Sequence, residues 1–215
     1  PQDTSTPGRP ESNSKAEREI RTVLEGTRTC LDHAGVPRRF WPYAARAFCH
    51  HLNIEVVDGD SCWNRRYEEG HWTGPVIPFG ALVDFKPSPT THDRMRDKWH
   101  GKTYPGVFFG YSLGQGGKWD GDLICAEFSD FRNINWKTGK DHNGRRCVRM
   151  QRIPHENVIF DTTEPAFYPL KKQADEAEAI AAAEAAEAEA AENAALAEAY
   201  ALKEAQEAAE RAHAE

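Results

Sequence analysis

Side chains suited to burial recur at Ile20, Val23, Leu24, Thr27, Cys30, Leu31 and Ala34. The spacing of three and four predicts one buried face of a helix. Asn13 or Ser14 can cap its start, because a short polar side chain satisfies a free N–H of the first turn. Gly35 supplies its stop and Pro37 blocks continuation. A second helix is predicted to open around Trp41 and Pro42, since proline suits the first turn. It turns Phe40, Tyr43, Ala44, Ala47, Phe48 and Leu52 inward. The connection is short, so the two helices form a helical hairpin.

The pattern dissolves over residues 56–78, where Trp63, Tyr67 and Trp72 lie among Gly, Asp, Asn and Pro. This stretch reads as an irregular linker. Strand patterns follow at 81–85, 106–111, 123–128, 147–152 and 158–160. Turn signals separate them at Gly114-Gln115-Gly116-Gly117, Asp120-Gly121 and Asp141-His142-Asn143-Gly144. Several short strands in so short a stretch predict a small antiparallel barrel or sandwich. Pro165 and Pro169 close it. Residues 173–215 are low in complexity, mostly Ala and Glu without Gly or Pro, and Ala and Glu are good helix formers. Ile180, Leu196, Tyr200 and Leu202 sustain no heptad, so the expectation is a solvated helix and not a strong coiled coil. Residues 1–12 are rich in Pro, Ser, Thr and Gly and read as a flexible lead-in.

Charge changes the picture. The 215 residues carry a formal net charge of -7, which argues against a generic nucleic-acid binder. The acid is concentrated at one end, however. Residues 171–215 hold 4 of the 27 Lys and Arg and 12 of the 34 Asp and Glu. The body is therefore almost neutral and the tail acidic. Cys30, Cys49, Cys62, Cys125 and Cys147 are odd in number and contain no CxxC pair. Free thiols in a reducing compartment are expected. No secretory signal and no apolar run of membrane-spanning length is visible, so nucleus or cytoplasm is the expected location and no membrane partner is expected.

One constellation points to a family. Pro10-Glu11-Ser12-Asn13-Ser14-Lys15-Ala16-Glu17-Arg18 leads into Arg21-Thr22-Val23-Leu24-Glu25 and Arg28-Thr29. Ala34-Gly35-Val36-Pro37, Phe40-Trp41 and Ala44-Ala45 follow. Later come Phe79-Gly80, then Lys102-Thr103-Tyr104-Pro105-Gly106-Val107-Phe108-Phe109-Gly110-Tyr111, and Val158-Ile159-Phe160-Asp161. In order and spacing, over residues 7–165, these resemble the Pol polyprotein of copia-type LTR retrotransposons. The resemblance is to a fragment: the C-terminal end of the integrase catalytic core and the SH3-like domain that follows it. It implies an α+β chain in which residues 13–55 are the last helices of an RNase H-like core, 56–78 a linker and 79–165 a small antiparallel SH3-like β-barrel. A long Ala/Glu-rich C-terminal helix over 170–215 completes it.

The resemblance matches Glu17 to the glutamate of the integrase acidic triad. Strand transfer uses two divalent ions to activate the attacking oxygen and stabilise the leaving one. Mg²⁺ and Mn²⁺ take oxygen ligands, so carboxylates supply the cage. The two Asp partners lie farther upstream in the family, and Asp3 is too near Glu17 to be one. Glu17 would ligate metal only with those partners. The expectation is that Mg²⁺ or Mn²⁺ serves the complete integrase, that this chain alone binds none, and that alone it is not catalytically competent. Ser14-Lys15 also stands where the family often has Gly-Val, and Ser14 restricts φ where Gly would not. Without the resemblance, a Glu in a first helical turn is explained by the helix dipole.

Lys15, Arg18 and Arg21 follow at intervals of three, on one helix face. They suit phosphate contact, and a solvated face with pairs such as Arg21–Glu25 explains them equally. Arg145, Arg146 and Arg149 form a second basic set, and Arg94, Arg96, Lys98, Lys102 and Arg152 add to the barrel's charge. Trp99, Tyr104, Trp119, Phe131 and Trp136 interleave with them, a mixture that suits nucleic-acid backbones and bases. The alternative is a barrel core with ordinary surface charge, which is the expectation for Phe108 and Phe109. His50, His51, His92, His100, His142 and His155 show no zinc spacing with the cysteines. Weak, salt-sensitive DNA binding is the expected function, with the rest of the integrase or a second copy as further partners and no small-molecule substrate. A non-catalytic protein-interaction module with a helical spacer is the alternative, favoured by the acidic tail.

Overall fold

A computed structural model describes residues 14–87 and 102–213, except 133, 137, 141, 142, 146 and 147. It divides into two units, residues 1–174 and 175–215. The first is α+β. Helix α1 spans Ser14–Ala34 and α2 spans Trp41–Ile54, within a residue of the predicted bounds; Asn13 lies outside the described residues. Gly35 adopts φ of 64°, and the Val36 N–H donates to the Leu31 carbonyl at 3.1 Å. This is a Schellman stop, sealed by apolar contact between the residues that flank it. Leu31 and Val36 are both buried.

The stop also fixes a second junction. A Cβ on Gly35 would strike the backbone of Leu170 and Lys171, where Leu170 is fully buried in the same core as Leu31 and Ala34. Gly35→Ala therefore combines a left-handed residue with a backbone clash. Its expected cost is about 2 kcal/mol, measured as a fall in the urea midpoint. A midpoint within error of the parent would mean that the junction yields freely.

One antiparallel sheet holds Met150–Pro154, Trp119–Glu127, Tyr104–Leu113, Leu82–Phe85 and Val158–Ile159 side by side in that order. The strands are β3 Leu82–Phe85, β4 Tyr104–Leu113, β5 Trp119–Glu127, β6 Met150–Pro154 and β7 Val158–Ile159. Only a turn at His155–Asn157 separates β6 from β7, yet they sit at opposite ends of the order. The sheet must curl to bring its edges together, giving a half-barrel.

Both faces of this sheet are covered. Phe108, Tyr111, Leu123, Cys125 and Ile153 face the inside of the curl. Val107, Phe109, Ile124 and Ala126 face α1 and α2, meeting Leu31, Ala34, Phe40, Ala44 and Ala47. Simple alternation would put Tyr111 with Phe109. It does not, because Phe108 pairs with Cys125 and Gly110 with Ile124, leaving Phe109 as one extra residue. That bulge reverses the alternation beyond it. Gly110 has φ of 128°, and a Cβ there would lie 3.4 Å from the Ala47 methyl, so α2 rests closely on the bulge.

The linker is more ordered than predicted. Val56–Val57 (β1) pairs with Asp60–Ser61 (β2) around Asp58-Gly59, both with positive φ, the geometry of a tight hairpin turn. Helix α3, Cys62–Tyr67, follows, and the Ser61 side chain caps it by accepting from the Asn64 N–H at 3.1 Å. The hairpin prediction needs correction at two places. Ile20 and Leu24 are 59% and 49% exposed, and Leu52 is 39% exposed; the buried face of α1 is limited to its C-terminal half.

Helix α4, Pro169–His213, is 45 residues long. Its start belongs to the body. The second unit is its continuation, exposed almost throughout residues 175–197, including Ile180 and Leu196. Among the described residues, no helix is long and apolar enough to cross a membrane.

Candidate nucleic-acid interface

The first two turns of α1 place four of the singled-out residues. Lys15, Glu17, Arg18 and Arg21 are all exposed. At roughly 100° per residue, Ile20 and Leu24 continue the stripe of Thr27, Leu31 and Ala34. Lys15, Arg18 and Arg21 occupy the opposite side, and Glu17 sits at the border. The helix thus carries an apolar stripe whose far half is buried and whose near half is bare, with a cationic back. The C-terminal half is held by burial of Thr27, Leu31 and Ala34. Thr27 returns its hydroxyl to the Val23 carbonyl at 2.6 Å, which lets a polar residue be buried without an unsatisfied donor.

Among the described residues no group of three His, Cys, Asp or Glu side chains converges that could hold a metal ion. Among the described residues the donors do not fit a two-metal site. The other basic set is split. Arg145 and Arg149 are exposed, and the Arg149 N–H donates to Asp130 Oδ2 at 3.0 Å. Arg146 lies outside the described residues, as do Arg94, Arg96, Lys98 and Trp99. Lys102 and Arg152 are exposed.

The described aromatics expected beside these charges are buried or half-buried. Phe131 is buried and stacks near-parallel on Phe109 with centroids 6.1 Å apart. Trp136 is half-buried against the same core. Trp119 is half-buried and donates its indole N–H to the Asp122 carbonyl at 2.8 Å. Tyr104 is half-buried. Of these aromatics Phe131 is core, Tyr104, Trp119 and Trp136 keep part of the side chain accessible, and Trp99 lies outside the described residues.

Sequence reading missed a ring cluster built by α2, α3 and the linker. His50 packs against Tyr111, Trp72 and Trp63 with centroids 4.0, 4.8 and 5.9 Å away. The Tyr111 hydroxyl donates to the Pro75 carbonyl and accepts from the Ile77 N–H, both at 3.1 Å. It also lies 3.4 Å from His51 Nε2. Tyr111 thus pins the segment that looked like a free linker. The signal was present in Trp63 and Trp72, which are too large to leave in water at no cost. Burial holds the imidazoles of His50 and His51 below the usual histidine range, His50 to about 4 with help from its neighbour His51. Burial pushes Tyr111 and the Cys125 thiol up, each to about 12. His155 is exposed, its Nδ1 3.1 Å from the Gly121 carbonyl; His92, His100 and His142 lie outside the described residues. Cys30, Cys49, Cys62 and Cys125 are free thiols, and Cys147 lies outside the described residues.

No family profile matches the chain, and no solved structure matches it significantly. Curated proteins do. Over 115 residues, 52% of this chain, it is 42% identical to the retrovirus-related Pol polyprotein from transposon RE2 of Arabidopsis thaliana and 40% identical to that from transposon RE1. Over 109 residues, 50% of the chain, it is 29% identical to the corresponding polyprotein from transposon TNT 1-94 of Nicotiana tabacum. The matched segment covers 8% of each of those polyproteins. The chain resembles, over about half its length, one short segment of the copia-type retrovirus-related Pol polyproteins of transposons.

Proposed function

We propose that this chain is an integrase-derived segment that contributes nucleic-acid contacts in DNA integration and lacks catalytic competence of its own. Its similarity to transposon Pol polyproteins supports the reading. The observation that carries it is the exposed N-terminal half of α1, with Lys15, Arg18 and Arg21 on the side away from the apolar stripe. In this reading α1 and α2 are the end of an RNase H-like core and the half-barrel is the SH3-like domain. Glu17 descends from the metal-binding glutamate, and Mg²⁺ or Mn²⁺ serves the complete enzyme only. DNA is bound weakly and is lost with salt, and the location is nuclear or cytoplasmic.

The test is titration of labelled duplex DNA at several salt concentrations. Each phosphate contact contributes about 0.9 to the slope of log affinity against log salt. The triple variant Lys15→Ala, Arg18→Ala, Arg21→Ala is expected to lower that slope by about 2 to 3. Arg145→Ala with Arg149→Ala should lower it by up to about 2 if the second set also touches phosphate. An unchanged slope in both variants would remove DNA contact from these residues.

One observation favours a second reading, a protein-interaction module. Ile20 and Leu24 leave the apolar stripe of α1 bare, and an exposed stripe continuous with a buried one suits a protein partner. That partner is the rest of an integrase or a second copy of this chain. Concentration-dependent association lost in Ile20→Ser with Leu24→Ser, in a protein with no DNA affinity, would replace the first reading with this one.

A further inference from the structure

We propose that the cleft between α2 and α3 is a nucleotide-binding site, taking a phosphate on Arg46 and Arg66 and a planar base against the Arg66–Tyr67 wall. The cleft has a volume of about 380 Å³, within the range of small-ligand sites. One arginine comes from each helix, and no carboxylate lines the space.

The pairing of nearby cations sharpens the point. Arg65 is paired with Asp60 at 3.9 Å, and Lys118 with Glu69 at 2.6 Å. Neither Arg46 nor Arg66 pairs with a carboxylate among the described residues. The two cations that face the cleft are thus left for an outside anion, and guanidinium is suited to phosphate. The Arg66 guanidinium lies 5.6 Å over the Tyr67 ring, which packs on Trp63 at 4.5 Å. Layered guanidinium and aromatic planes are surfaces on which unpaired bases stack. Asn53 also lines the cleft and brings an amide that can donate and accept at a base edge.

A second, independent observation comes from the cleft wall. His50 lines it and is 3% exposed, and its Nε2 is buried without a hydrogen-bond partner. Buried polar atoms are rarely left so, because an unmade hydrogen bond costs stability. That atom lies beneath the wall's surface, so a ligand in the cleft meets it only when the wall shifts on binding. The site stands apart from the basic side of α1 and does not depend on the integrase reading.

Thymidine 5′-monophosphate, thymidine, inorganic phosphate and an oligothymidylate are titrated at constant low ionic strength into the full chain. The Trp63 indole N–H resonance reports binding. The monophosphate is expected to shift it saturably, with thymidine and phosphate each binding at least tenfold more weakly. Arg46→Ala with Arg66→Ala should weaken nucleotide binding at least tenfold, and Arg18→Ala with Arg28→Ala, which removes the same charge from exposed positions of α1, should leave it unchanged. An unaltered unfolding midpoint shows that the cleft variant is folded. Tighter arginine-dependent binding of the oligothymidylate identifies an unpaired strand as the source of the nucleotide, and tighter binding of the monophosphate identifies the free nucleotide. No saturable shift, equal binding of inorganic phosphate, or indifference to the two arginines would each overturn the proposal.

Discussion

Phe109→Ala is expected to remove about 3–5 kcal/mol of stability, a large share of the about 5–15 kcal/mol that stabilises a domain. Phe109 is 1% exposed and sits where the helical layer meets the sheet. Its ring meets Phe40 at 5.3 Å, Phe79 at 5.5 Å, Tyr43 at 5.8 Å and Phe131 at 6.1 Å. Two of those partners belong to the hairpin, one to the segment before β3 and one to the turn after β5. No neighbour can swing into the gap without leaving its own contacts, so a cavity remains. The bulge that presents Phe109 also fixes Tyr111 on the opposite face, which ties the loss to both cores.

Tryptophan fluorescence is the right readout, because the exposed part of α4 contributes helix signal without sharing this core. Phe109→Leu, which leaves most of the volume filled, should cost less than half as much. If Phe109→Ala costs no more than about 1 kcal/mol, an ordinary surface-sized effect, the helices do not depend on the sheet at this point.

Much of this layering was legible in the chain. Gly35 and Pro37 mark the end of α1, and Trp41-Pro42 marks the start of α2, because each is a backbone signal that needs no tertiary information. Most strands were legible for the same reason, being bounded by glycine-rich turns, but Asp120-Gly121, read as a turn, lies inside β5, and β6 begins at Met150, three residues after its expected start. The bulge was not legible. Val107 to Tyr111 is apolar apart from Gly110, and a run buried on both faces carries no alternation from which a register slip can be read. The hairpin at Asp58-Gly59 was missed although its turn dipeptide was visible; its strands are two residues each, below any periodicity signal.

Periodicity also overreached at Ile20, Leu24 and Leu52. It identifies a face that could be buried and says nothing of what covers it. The body covers α1 only from Thr27 onward. Of the candidate site, Lys15, Glu17, Arg18 and Arg21 were named from motif order, and the fold places them on an exposed half-helix. Arg46 and Arg66 escaped notice because they converge from α2 and from a six-residue helix hidden in the apparent linker. His50 was weighed as a metal ligand. It is instead a ring among rings, and its environment can be tested through pH.

The neutral state of His50 makes the body sensitive to acid. Its folded pKa is about 4, lowered first by burial and then by His51, against an ordinary value of 6.5. Below 6.5 the unfolded chain takes up a proton that the folded chain refuses. Stability therefore falls as pH drops from about 6.5 toward 4, then levels once the folded ring also protonates. At 1.36 kcal/mol per unit, the loss approaches about 3 kcal/mol. His51 is lowered by burial as well and acts in the same direction. Tyr111, its pKa raised, stays neutral throughout this window. Asp60 and Asp161 act in a different window. Hydrogen bonds from Asn64 and Thr163 lower their pKa values from 3.8, so what they contribute is lost only as pH falls below that value. Urea midpoints of the parent and of His50→Phe, measured from pH 7 to 4, separate the contributions. The variant removes the titrating group and keeps an aromatic ring against Tyr111 and Trp72, so its midpoint should fall less steeply between pH 6.5 and 4. Equal slopes would mean that His50 is protonated in the folded state and that the ring cluster opens to admit the charge.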